Sequence, residues 1–178
     1  MTGDFKILRF KQVDSTNGVA FRHAEQGAPA GSVFVADYQT KGRGKWGRTW
    51  ISPKGKNLLF SILLRPKMKG SQSPILTQVS CRSVANVLKK ELKLDLTFKR
   101  PNDILVKKKK ICGVLVEAKG YASGALESVV VGIGLNVNST RKELLRGATS
   151  ILAETGKKYP RKKLLTSLLQ QLKKDLQT

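Results

Sequence analysis

Groups able to do chemistry are densest in Lys41-Gly42-Arg43-Gly44-Lys45-Trp46-Gly47-Arg48, where three glycines alternate with four cations. Glycines let backbone N–H groups come close to a ligand and the cations supply countercharge, so the segment suits a phosphate or a carboxylate. It is not an NTPase cradle, because GxxxxGK[ST] is absent. A solvated basic loop explains the same composition equally well. A second stretch, Lys99-Arg100-Pro101-Asn102-Asp103 with Lys107 to Lys110, puts six cations and one acid into twelve positions. Such a run is usually a hairpin tip in water. Here, however, Lys110 leads directly into apolar Ile111-Cys112-Gly113-Val114-Leu115, at the edge of a buried strand where a cation can meet a ligand carboxylate. Gly132-Ile133-Gly134-Leu135-Asn136 follows a strand but lacks the third glycine of a dinucleotide fingerprint, position 137 being Val. Its glycines read as close strand packing, and Asn136 as a candidate to read an adenine edge.

Other chemistries are excluded by what is scarce. Cys81 and Cys112 lie 31 positions apart and His23 is the single histidine, so neither a Cys/His zinc site within the chain nor a disulfide framework can be built. Both cysteines have apolar neighbours and read as inert buried thiols, and His23 has no HExxH or triad-like context. Amides, hydroxyls, carboxylates and cations must carry any reaction.

The elements that position these groups belong to one domain. The chain has 178 residues, 40% hydrophobic and 26% charged, which is enough to bury a core and unlike a disordered polycation. Phe5 to Lys11 reads as a strand. Asp14-Ser15-Thr16-Asn17 offers N-caps for a helix running to about Gln26. Ser32 to Asp37 and Asn57 to Arg65 are strands, the second stopped by Pro66, with Gln39 to Arg48 a loop between them. Ser73-Pro74 opens a helix carrying Leu76, Val79, Val84, Val87, Leu88 and Leu92. Leu94 to Phe98 is a strand, and Ile104 to Val106 with Ile111 to Val116 forms a hairpin across Lys107 to Lys110. Ser128 to Val137 is a further strand, Thr149 to Glu154 a short helix, and Pro160 opens a helix with Leu165, Leu168, Leu172 and Leu176 on one face. Mixed helices and adjacent strands predict an α+β fold, with a mixed, mostly antiparallel sheet flanked by helices.

Charge narrows the partners without naming one. Lys plus Arg number 34 against 12 Asp plus Glu, a net charge of +22, and 24 of the cations are Lys spread along the chain. That predicts a polyanionic or acidic partner. Aromatic residues are only 6% and show no RNP-like spacing for stacking bases, so nucleic acid is the less favoured of the two. The longest uncharged stretch, Ser128 to Thr140, has thirteen residues, short of the ~18 of a membrane span. Met1 to Phe10 carries Asp4, Lys6 and Arg9 and lacks the apolar run of a signal peptide. The expectation is a cytoplasmic protein with no membrane partner.

Taken together, four groups of segments resemble the catalytic domain of biotin–protein ligases (biotin–[acetyl-CoA-carboxylase] ligases). They are Asp14-Ser15-Thr16-Asn17; Asp37-Tyr38-Gln39-Thr40-Lys41-Gly42-Arg43-Gly44 with Trp50; Pro101-Asn102-Asp103 with Lys110 to Glu117; and Gly132 to Asn138. The resemblance runs from about Val13 to Asn138, and the helical tail to Thr178 is similar too. It implies a class II synthetase-like biotin/lipoate ligase fold. It also implies ATP and Mg²⁺ with biotin as substrate, formation of biotinyl-5′-AMP, and transfer to a lysine of an acidic biotin carboxyl carrier protein. A homodimer is left open.

Carried over position by position, Ser15, Thr16, Asn17 and Gln39 bind the ureido head of biotin, with Gly42, Gly44, Gly113 and Leu115 around the same ligand. Arg43 and Lys45 hold the carboxylate and phosphate, and Lys110 bridges them, so these three are the catalytic cations. Arg43, Arg48, Trp50, Lys99, Asn102 and Asn136 contact ATP, and Asp103 is the candidate Mg²⁺ ligand. Three departures are visible. Lys45 stands where the family's GRGRxGR has its second arginine, and Arg100 where its KWPND has tryptophan. The third is extent, since residues 1–178 read as a single catalytic domain with neither an N-terminal winged helix nor a C-terminal SH3-like domain. That disfavours a DNA-binding repressor. Two alternatives stand beside the ligase: a catalytically weak biotin- or nucleic-acid-binding relic, and a lipoate–protein ligase, which should carry a glycine-rich motif ending in histidine.

Overall fold

A computed structural model describes residues 5–120 and 126–176. Seven strands form one sheet: β1 (Lys6–Phe10), β2 (Ser32–Ala36), β3 (Leu58–Leu64), β4 (Leu96–Lys99), β5 (Asp103–Val106), β6 (Lys109–Gly120) and β7 (Leu126–Leu135). Their spatial order is β1-β2-β3-β7-β6-β5-β4, with β1 and β2 parallel and every other pair antiparallel. Four helices flank it: α1 (Thr16–Glu25), α2 (Ser73–Leu92), α3 (Ile151–Thr155) and α4 (Arg161–Asp175). This is the expected α+β architecture.

Burial explains the strand chemistry. All seven residues of β3 are buried, because both faces of the sheet centre are covered, and its sequence is accordingly a continuous apolar run broken only by Ser61. On one face Val33, Phe60, Ile62, Val131 and Ile133 pack against Val84 and Leu88 of α2 and Leu165 and Leu168 of α4. On the other, Phe34, Leu63 and Val130 meet Val19 and Ala20 of α1. Helix α1 is short and covers only part of that second face. The functional groups occupy the remainder.

Paired residues in a sheet share a face, so register places them there. One row runs Lys99–Asp103–Gly113–Gly134–Leu59 across five strands, and the next runs Leu115–Gly132–Ser61–Phe34. Small residues at Gly113, Gly132 and Gly134 leave a trough in the sheet floor.

Two details differ from expectation. The β5–β6 turn takes only Lys107 and Lys108, both in the left-handed region (φ 48° and 64°), so Lys109 and Lys110 belong to β6 instead of the turn. Left-handed φ at both central residues is the geometry of a two-residue turn that follows the twist of its strands. In addition β6 runs on to Gly120, four residues past its expected end.

Candidate active site

The start of α1 supplies the polar end of the trough. Asp14 accepts from the Ser15 N–H at 2.7 Å and from both Arg22 guanidinium nitrogens at 2.9 Å. That hydrogen-bonded pairing holds the Asp14 carboxyl at about 2. Its stabilising contribution is therefore complete above about pH 4 and disappears as pH falls through about 2. Asp14→Asn should cost about 1 kcal/mol or less at pH 7, since the pair is half-exposed. Urea midpoints of variant and parent should converge between pH 4 and pH 2, whereas a constant gap would assign the loss to something other than this charge.

From there the bonds run inward. Gln39 Oε1 accepts from the Thr16 N–H at 2.7 Å and from its hydroxyl at 3.0 Å. Ser61 Oγ, from β3, lies 2.7 Å from Thr16 Oγ1 and 2.5 Å from Asn17 Oδ1. Asn17 Nδ2 donates to the Leu115 carbonyl at 3.3 Å and to Glu117 Oε2 at 2.7 Å. The same Glu117 oxygen ion-pairs with Arg43 at 3.1 Å. A chain of hydroxyls and amides, Gln39–Thr16–Ser61–Asn17–Glu117, thus ends on a loop arginine.

The loop returns on itself so that Trp50 donates its N–H to the Gly42 carbonyl at 3.0 Å and Gly44 donates to Arg48 at 2.6 Å. A Cβ on Gly42 would sit 2.3 Å from the Trp50 carbonyl oxygen, which is why that position is glycine. Trp46, at the tip, is 71% exposed and has Lys45 Nζ 5.1 Å from its ring centroid. Trp50 instead lies across the sheet floor, where a Cβ on Gly134 would come within 2.5 Å of its ring. The glycines of 132–134 therefore admit side chains, Asn17 over Gly132 and Trp50 over Gly134. The Trp50 indole N–H is buried with no hydrogen-bond partner among the described residues.

Lys110 is aimed by a bulge. In a regular strand residues 110 and 113 would point to opposite faces. A register shift at Ile104/Leu105 inserts Ile111 as an extra residue and brings Lys110 onto the face of Gly113. Its backbone is clamped by Gly147 and Thr149, at 2.8 Å each. The ammonium ion-pairs with Asp103 at 2.7 Å and stands 5.3 Å from the Trp50 ring centroid.

One cleft of about 150 Å³ gathers most of the expected groups. Ser15, Thr16, Asn17 and Gln39 line one end. Arg43, Gly44, Lys45 and Arg48 line the loop side, and Trp50, Lys99, Asn102, Asp103, Lys110, Gly113 and Leu115 the rest. Gly42 lies behind the loop, outside this lining. Asn136 is also set apart, in an adjoining pocket with Trp50, Asn57, Lys110 and Ala148, where its amide donates to the Thr149 carbonyl at 3.0 Å. The Asn102 amide is likewise engaged, donating to the Val114 carbonyl at 2.7 Å. Ser61 and Glu117 were not among the expected site residues. A serine inside the apolar run of β3 is the signal that could have marked the first.

The thiols take no part. Burial pushes Cys81 up to about 12 and Cys112 well above its ordinary value. Among the described residues no helix is long and apolar enough to cross a membrane.

Comparison with known proteins agrees with this fold. Residues 9–136 match the model of the Biotin/lipoate A/B protein ligase family. The chain is 34% identical over 161 residues to the Bifunctional ligase/repressor BirA of Bacillus spizizenii, a match covering 88% of this chain and 49% of that protein. It is 33% identical over 128 residues to the Biotin–[acetyl-CoA-carboxylase] ligase of Paracoccus denitrificans, covering 71% of this chain and 52% of that one. The structure superposes on the biotin protein ligase from Aquifex aeolicus in complex with biotin and ATP with a TM-score of 0.82 and 35% identity, covering 97% of this chain and 70% of that one. The chain spans about half the length of these curated relatives. On fold and on sequence, the chain belongs to the biotin/lipoate A/B protein ligase family.

Proposed function

We propose that the protein activates biotin with ATP and transfers it to a carrier. The observation that carries this reading is the convergence, in one cleft, of a hydroxyl–amide end (Thr16, Asn17 and Gln39, the first two held from beneath by buried Ser61) and a cationic centre (Lys110, Arg43, Lys45). The first suits a small uncharged polar head. The second suits a carboxylate and a phosphate, whose mutual repulsion must be offset before they can react.

In the first step a biotin carboxylate oxygen bonds to the α-phosphorus. The bond from that phosphorus to the β-phosphate bridging oxygen breaks, and the electron pair leaves with pyrophosphate. Lys110 sits between the two anions and Arg43 closes from the loop. In the second step a neutral carrier lysine amine forms a bond to the acyl carbon, AMP leaves with the electron pair of the acyl–oxygen bond, and the new amide nitrogen gives up its extra proton to solvent. The pocket beside Trp50 and Asn136 takes the base, with the Trp50 ring as one of its walls. No group of three or more Cys, His, Asp or Glu side chains that could hold a metal occurs among the described residues. Asp103 alone fits Mg²⁺, which one carboxylate and substrate phosphates suffice to bind. Bound there, the ion would supply further positive charge against the phosphates.

The partner is an acidic carrier domain met in the cytoplasm, steered by the net charge of +22. Incubation with ATP and biotin should release pyrophosphate, and labelled biotin should pass to a biotin carboxyl carrier domain. Transfer should slow several-fold between low and physiological salt. Pyrophosphate release with lipoate but not biotin would overturn the substrate, and transfer indifferent to salt would overturn the steering.

A further inference from the structure

We propose that Glu117 is a positioning residue that fixes the direction of the hydrogen bonds at the polar end, and so makes that end an acceptor surface for a head group with two N–H donors. The inference rests on the reading above, whose substrate, biotin, carries a cyclic urea of that kind. Glu117 stands on β6 opposite Val130, on the face that α1 covers, and its side chain is 30% exposed.

Direction follows from counting protons. An ionised carboxylate only accepts, a hydroxyl donates one proton, and a primary amide donates from nitrogen and accepts at oxygen. Asn17 Nδ2 faces two acceptors, Glu117 Oε2 at 2.7 Å and the Leu115 carbonyl at 3.3 Å. The amide therefore has one orientation, with Oδ1 over Gly132. Asn17 Oδ1 cannot donate, so the proton of Ser61, 2.5 Å away, points to it. The Ser61 oxygen is then the acceptor in its 2.7 Å contact with Thr16, whose proton is shared between Ser61 and Gln39 Oε1. Every donor along Thr16–Ser61–Asn17 thus points toward Glu117.

What remains for a ligand is the reverse polarity. Both Asn17 amide protons and the hydroxyl protons of Thr16 and Ser61 are taken up inside the network. Thr16 Oγ1 and Asn17 Oδ1 keep lone pairs, and both residues line the cleft. A head with N–H groups satisfies them. A head with none, such as the dithiolane of lipoate, buries them unpaired, and a site built for hydrogen bonds rejects such an analogue strongly.

Charge accounts for a carboxylate so close to an anion site. Arg43 pairs with the same Glu117 oxygen at 3.1 Å and offsets its charge, so the acceptor is kept without opposing the anions farther along the cleft. Glutamine at this position would lose both properties. Its amide donates as well as accepts, which gives Asn17 a second orientation, and it leaves Arg43 without a partner.

The test has one readout without ligand and one with it. In the ligand-free full chain, the nitrogen–proton NMR signals of the Asn17 side-chain amide, identified by their loss in Asn17→Ala, should include one proton moved downfield by its carboxylate bond. Glu117→Gln should abolish that displacement. Calorimetric titration should show biotin weakened ten-fold or more by Glu117→Gln, with a narrower preference for biotin over lipoate. Exchanging the two groups, in Glu117→Gln with Asn17→Asp, keeps an acceptor at position 17 and gives it a donor at position 117. That double variant should bind biotin more tightly than either single one, because Asn17→Asp alone sets two carboxylates against each other. A residue that only supported the fold would not give this crossed recovery. If Glu117→Gln does not fold, Glu117→Asp, which keeps the charge on a shorter reach, should show the same loss of the downfield signal. An Asn17 amide signal indifferent to position 117 overturns the proposal, as does an exchange variant that binds no better than the single ones. A parent that binds no biotin would defeat the reading above instead, and the amide signal would still decide whether Glu117 orients Asn17.

Discussion

Lys110→Ala is expected to slow biotinyl-5′-AMP formation at least a hundred-fold. Loss of one preorganised electrostatic group of this kind costs about 3 kcal/mol or more in other enzymes. The structure adds a structural cost, because removing the ammonium leaves the half-buried carboxylate of Asp103 without its 2.7 Å partner. The two effects can be separated. Asp103→Asn added to Lys110→Ala should restore the unfolding temperature toward the parent value and leave pyrophosphate release as slow as in the single variant. Lys110→Arg should fold normally and retain only part of the rate, since the bulge at Ile111 aims a point charge into a narrow place. A Lys110→Ala enzyme releasing pyrophosphate at more than about a third of the parent rate has lost under ~1 kcal/mol. In that case the cation between carboxylate and phosphate is another residue.

Why Lys110 could be suspected but not placed shows where sequence reading stops. Apolar runs and alternation locate β2, β3 and β7, and the Ser73-Pro74 start marks α2, because each signal is local and each element is covered on a known side. The bulge is not local. It depends on how β5 pairs with β6 and on the 147–149 segment holding the Lys110 backbone, neither of which leaves a mark in the residues around 110. The two-lysine turn was hidden for a related reason, since lysine is not a residue that prefers the left-handed region and tertiary pairing overrides that preference. Glu117 was also in plain view. It gains its role by meeting Asn17, one hundred positions earlier, and Arg43 across the trough. By contrast the loop 41–48 was readable, because close backbone approach and countercharge both appear directly in composition.

The glycine pair on β7 gives the sharpest division of the site into its two ligands. Gly132→Ala would put a Cβ 2.1 Å from Asn17 Oδ1, and Gly134→Ala would put one 2.5 Å from Trp50 Cε2 and 2.7 Å from Cζ2. Both contacts are impossible as they stand, so the overlying side chain must move. Overpacking of this kind costs typically ~1–3 kcal/mol. The consequences differ because the displaced groups differ. Asn17 is tied to Ser61, Leu115 and Glu117, so Gly132→Ala should disturb the polar end and weaken biotin ten-fold or more while ATP binding changes little. Trp50 lies between the main cleft and the Asn136 pocket, so Gly134→Ala should weaken ATP by a similar factor and biotin much less. Titrations of each variant with each ligand form a two-by-two comparison in which general destabilisation would lower all affinities together. Asn17→Ala combined with Gly132→Ala tests the clash itself. The smaller side chain gives the new methyl room, so thermal stability should recover relative to Gly132→Ala while biotin affinity stays low, because the amide proposed to read the ligand has gone. If the double variant recovers biotin affinity as well, Asn17 does not contact biotin and the polar end of the trough belongs to something else.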